Sequence, residues 1–113
     1  MSKNCVDMTI ELANKFDVPL MMIASRRQIE SKDLGGGYVN NWSTEDFADY
    51  VSQKDIKKNI ILCRDHGGPF QGKDGKEIEF EKSMQNAKKS FLADIKSNFK
   101  ILHIDPSEYL DGK

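Results

Sequence analysis

At 113 residues the chain has room for one domain with a modest core. Hydrophobic residues make up 38% and charged residues 31%, and no apolar run approaches the ~18 residues of a membrane span. The formal net charge of −1 gives no global field that would attract nucleic acid or an anionic membrane, so neither is expected as a partner. Met1-Ser2-Lys3-Asn4 does not open an apolar stretch of the secretory kind. Cys5 and Cys63 lie far apart and in no metal-ligand spacing, and Cys63 sits in an apolar run that favours a buried reduced thiol. A cytoplasmic location is the expectation.

Val6, Ile10, Ala13 and Phe16 recur at helical spacing and predict an amphipathic opening helix. The apolar run 18–24 then reads as a parallel strand covered on both faces. A glycine-rich connection follows, from Leu34 through Gly35-Gly36-Gly37 to Trp42. Ser43 is a good N-cap for a second helix, whose apolar face is Phe47, Tyr50 and Val51. A second strand spans 59–63 and ends in Arg64-Asp65-His66-Gly67-Gly68-Pro69. Beyond a polar loop, Phe80, Met84, Ala87, Phe91 and Ile95 form one stripe of a longer helix. The third strand, 100–104, runs into Asp105-Pro106-Ser107.

Strands recurring roughly forty residues apart between helices mean α/β with parallel strands. A doubly wound sheet would place a tight glycine fingerprint directly after the first strand, but Gly35 to Gly37 come too late for that. A barrel gathers chemistry at the C-terminal ends of its strands. Here those ends carry Ser25, Arg26, Arg27, Gln28 and Glu30, then Arg64, Asp65 and His66, then Asp105 and Ser107. The expectation is a partial (β/α)8 TIM barrel with about three strands. A full barrel needs eight strands and about 250 residues, so residues 1–113 read as a fragment of one such domain.

The order of motifs resembles the non-catalytic subunit family of class II tagatose-bisphosphate aldolase, also labelled tagatose-6-phosphate kinase-like. The likeness rests on Ala24-Ser25 and Gln28, on Gly36-Gly37-Tyr38, and on Ser43-Thr44-Glu45-Asp46-Phe47. It continues through Asp65-His66-Gly67-Gly68-Pro69, Glu81-Lys82-Ser83-Met84 and His103-Ile104-Asp105. The resemblance implies that the first strand and the C-terminal half of the barrel are missing, and that such proteins support a catalytic aldolase partner. Arg26, Arg27 and Arg64 depart from the pattern, which leaves another phosphorylated sugar or a nucleotide-linked sugar open as the ligand in place of tagatose bisphosphate.

By the same resemblance Asp65 would be a proton-transferring carboxylate and His66 a ligand to Zn2+ or another divalent metal, which polarises a carbonyl. The other reading of the pair is a local hydrogen-bonded turn with Gly67-Gly68. Further ligands of a zinc site would lie beyond Lys113, because His103 is the chain's other histidine. Arg26, Gln28, Arg64, Asp105 and Ser107 are the candidate substrate contacts, with rim salt bridges as the alternative for the arginines. Tyr38 and Trp42 suit either a lid over a sugar or an anchored connection. An enzyme of the aldolase superfamily, a stabilising subunit and a nucleotide-sugar enzyme all remain open. The isolated chain is expected to lack turnover and either to be marginally stable or to self-associate.

Overall fold

The computed structural model describes residues 1–69 and 80–105. Helix α1 (Lys3–Phe16) leads into strand β1 (Leu20–Ser25), and a short 3-10 turn (Lys32–Leu34) precedes helix α2 (Thr44–Lys54). Strand β2 (Ile60–Gly67), helix α3 (Phe80–Lys96) and strand β3 (Ile101–Ile104) complete the order. The strands form one sheet in the order β1-β2-β3, with both neighbouring pairs parallel. The fold is therefore α/β with three parallel strands alternating with helices, consistent with a partial barrel-like arrangement.

Local chemistry sets the element ends. Ser2 caps α1 by accepting from the Cys5 N–H at 3.2 Å, and Ser43 caps α2 by accepting from the Asp46 N–H at 3.0 Å; such caps contribute about 1 kcal/mol each. Asp17 leaves α1 in the left-handed region at φ 52°, which closes the helix and turns the chain into β1. Asp55 organises the entry to β2. Its carboxylate accepts from the Asn14 side chain at 2.9 Å and from the Asn59 and Ile60 N–H groups at 3.0 and 2.8 Å. Burial alone would raise the Asp55 carboxyl, but these donors outweigh it and hold the group below the ordinary aspartate range.

The core lies between the helices and one face of the sheet. Val6, Ile10, Met22, Ala24, Phe47, Val51, Leu62 and Phe99 are among its buried members, each larger side chain contributing about 1.5–3 kcal/mol by leaving water. Alternation sends Met21, Ile23 and Ile101 to the other face, where they are 55%, 47% and 48% exposed. So β1 reads as a continuous apolar run, as expected, but the described residues cover only one of its faces. Phe16 and Ile95, both expected inside, are exposed as well.

The inward stripe of α3 also differs from expectation. Its buried residues are Ser83, Ala87, Ser90 and Asp94, with Met84 and Phe91 only half-buried. The reason is Arg64. Its guanidinium, within the helix-covered layer, needs a carboxylate, and Asp94 supplies it from α3 at 2.9 and 2.7 Å.

Candidate functional site

Strand β2 runs past the apolar segment 59–63 and carries Arg64, Asp65, His66 and Gly67 within the sheet. Arg64 pairs with Leu102 and Gly67 with Ile104. Two residues of β2, Asp65 and His66, therefore stand opposite one residue of β3, His103. This is a β-bulge, which bends a strand and re-aims its side chains. His66 adopts φ 48°, a left-handed conformation uncommon for a residue with a Cβ and often found where function holds it.

The bulge gathers four polar side chains from two strand ends. His66 Nδ1 lies 2.7 Å from Asp105 Oδ2, and His66 Nε2 lies 3.4 Å from Asp65 Oδ1. His103 Nδ1 is 3.6 Å from the same Asp65 oxygen and accepts from the His66 backbone N–H at 3.2 Å. The two imidazole rings meet edge to face with centroids 5.0 Å apart. Asp65 and Asp105 are half-buried and both histidines are exposed, so the cluster faces solvent at the C-terminal end of the sheet.

Two glycines make this approach possible. A Cβ on Gly67 would lie 2.6 Å from the Phe91 ring, and one on Gly68, at φ 132°, would lie 2.7 Å from the Asp105 carbonyl oxygen. The Asp105 N–H donates to the Gly67 carbonyl at 2.6 Å, tying the end of β3 to the turn after β2.

The other expected site residues fall elsewhere. Arg64, expected at the rim as a substrate contact, is 1% exposed. Beyond Asp94, it donates to the carbonyls of Ala24, Ser25 and Ile29 at 3.3, 2.8 and 2.6 Å and to Thr44 Oγ1 at 3.2 Å. Its fork is spent on the protein, and its Cζ sits 5.3 Å from the Phe99 ring centroid. Burial pushes the Asp94 carboxyl above the ordinary aspartate range, and the guanidinium opposes that shift. Arg26 is likewise 1% exposed; it donates to Glu30 Oε2 and to the Gly68 carbonyl, both at 2.5 Å.

Gln28 is half-buried and closes the turn after β1, its Oε1 accepting from the Ser25 N–H at 3.0 Å. Ser107 lies outside the described residues. Trp42 is buried against Phe47 and Tyr50, with ring centroids 5.6 and 4.9 Å away, so it anchors the core; Tyr38 is exposed. The glycine run turns its N–H groups inward: Gly35, Gly36 and Gly37 donate to the carbonyls of Lys32, Ser31 and Trp42. Burial raises the Cys63 thiol pKa, which fits an inert thiol. A groove of ≈ 610 Å³ between α2 and α3, lined by Asp49, Asp55, Lys58, Lys96 and Lys100 among others, opens at the N-terminal ends of β2 and β3, away from the histidines.

His103 joins the cluster without a local sequence signal. Strict alternation pairs it with Asp105 on its own strand, whereas the bulge turns it toward Asp65 and His66. The donor atoms of Asp65, His66 and His103 lie within 4.8 Å of one another, and Asp105 stands behind the His66 ring. Nitrogen and carboxylate donors at this spacing could hold a small divalent cation.

No family model matches the sequence, and no curated protein matches it. Among solved structures, the chain is similar to one described as a probable tagatose 6 phosphate kinase from Sinorhizobium meliloti 1021, with a TM-score of 0.74 and 24% sequence identity. The likeness covers 96% of this chain and 27% of that one, so the two share a fold over about a quarter of the longer chain.

Proposed function

We propose that this chain carries the metal-holding part of a phosphorylated-sugar site, with Asp65, His66 and His103 as its working residues. The observation that carries the reading is the bulge, which brings two imidazoles and two carboxylates from separate strands into mutual contact. Asp105 accepts from His66 Nδ1, which leaves Nε2 to face the cation beside Asp65. His103 supplies the second nitrogen. Asp65, half-buried at the edge of the pair, is the group we assign to proton transfer. A divalent cation bound there would polarise a sugar carbonyl or hydroxyl oxygen as a Lewis acid.

The sugar-phosphate class is supported by the shared fold with a protein described as a probable tagatose 6 phosphate kinase and by the motif resemblance to tagatose-bisphosphate aldolase subunits. Nothing in the geometry favours a nucleotide-linked sugar, because Arg26 and Arg64 are committed to internal partners. We read the three strands as a portion of a larger barrel. A second reading, a supporting subunit that pairs with an aldolase catalytic chain or with itself, is favoured by the exposed apolar face at Met21, Ile23 and Ile101.

Thermal shift with a panel of sugar phosphates, with and without Zn2+ or Mn2+, tests the proposal. The expected result is a rise in melting temperature that needs both components and vanishes in His66→Ala. A shift that survives His66→Ala, or no shift with any sugar phosphate, would remove the sugar-site reading and leave the supporting-subunit one.

A further inference from the structure

The Asp65–His66 bulge does not hold its shape alone. The Gly68 carbonyl that ends the turn accepts from Arg26 Nη1 at 2.5 Å, and Arg26 Nε donates to Glu30 Oε2 at the same distance. Glu30 is fixed in turn: its other carboxylate oxygen accepts from the Ser31 N–H at 2.8 Å, and its carbonyl accepts from the Thr44 N–H at 2.8 Å at the start of α2. A strut therefore runs from α2 through Glu30 and Arg26 to Gly68. Gly68 lies against the Asp105 backbone, the Asp105 N–H is bonded to the Gly67 carbonyl at 2.6 Å, and the Asp105 carboxylate holds His66 Nδ1 at 2.7 Å.

Burying a charged pair is a poor way to gain stability, since desolvation consumes most of the attraction and an apolar pair of similar size often does as well. What a guanidinium adds is a planar fork that fixes two acceptors at a set angle. Here the acceptors are a carboxylate on the β1 side and a backbone carbonyl at the end of β2. We infer that Arg26 is a positioning residue: through the Gly68 carbonyl it sets the Asp105–His66 contact and hence the direction in which His66 presents Nε2. The inference rests on the cation-site reading above, but its geometric half stands apart from it.

The test measures two things in the 113-residue chain, Co2+ affinity by visible absorption and the imidazole 15N shifts of His66 at fixed pH without metal. Arg26→Met is expected to weaken Co2+ binding by about tenfold or more, the usual effect of losing an orienting partner, and to erase the 15N signature of the Nδ1–Asp105 bond. Asp55→Asn, which destabilises the N-terminal end of β2, is expected to lower the melting temperature without moving either readout. Should Arg26→Met not fold, Arg26→Lys serves in its place, since it keeps the charge but has no fork to hold Glu30 and Gly68 together. Unchanged His66 15N shifts in the folded Arg26 variant would overturn the inference, as would equal losses in Asp55→Asn. If the wild type binds no Co2+ but Arg26→Met still erases the His66 signature, the positioning role stands and the cation reading falls.

Discussion

A buried guanidinium without its carboxylate is far costlier than the intact pair, and this sets how the interior should respond to single changes. Asp94→Ala leaves Arg64 buried and unpaired and is expected to cost about 3–5 kcal/mol. Arg64→Met combined with Asp94→Leu is expected to cost markedly less than that single change; urea unfolding of the three proteins measures the difference. Asp55 gives a pH-dependent case. Its carboxyl pKa is held below the ordinary value by Ile60, Asn14 and Asn59 against the opposing effect of burial, so the unfolded state binds its proton first as pH falls. The stabilisation is therefore complete above the unfolded value of ~3.9 and is lost as pH drops through the lower folded value. Asp55→Asn is expected to cost about 1–3 kcal/mol at neutral pH, with the gap from wild type closing in acid; melting temperatures across that range report it.

At the scale of elements, the bulge between β2 and β3 decides what the site contains. Gly67→Ala would drive a methyl group into the Phe91 ring and against the Arg64 side chain, and overpacking of this kind costs about 1–3 kcal/mol. A calorimetric melt of that variant checks the figure. The alternation of helices and strands was legible from apolar periodicity, and Ser43 marked the start of α2 because capping is a local interaction. Less legible were features set by contacts distant in sequence. The α3 stripe read as Phe80 to Ile95 on hydrophobicity alone, while the observed inward face follows Asp94, placed by an arginine thirty positions earlier. In the same way Asp65 and His66 stood out as a pair, but His103 joins them only through a one-residue irregularity between strands. Arg26 and Arg64 looked like rim residues because their burial depends on partners in other elements.

For the molecule as a whole, the described helices cover one face of the sheet, and Met21, Ile23 and Ile101 stand about half exposed on the other. An exposed apolar sheet face, with both outer strands unpaired on one side among the described residues, favours association. Met21→Glu with Ile23→Glu is expected to shift the chain toward monomer in sedimentation velocity, and unchanged association would place the contact elsewhere. No helix among the described residues is long and apolar enough to cross a membrane. The α/β architecture follows from the sequence pattern and is shared with a much longer solved chain, but fold alone does not assign chemistry. That assignment depends on the histidine cluster.

Isothermal titration with Zn2+ on the wild type, His66→Ala and His103→Ala addresses that dependence most directly. The expected result is one site per chain in the wild type, lost in His66→Ala and weakened at least about tenfold in His103→Ala. Absence of binding in the wild type, or binding that both alanine variants retain unchanged, would contradict it.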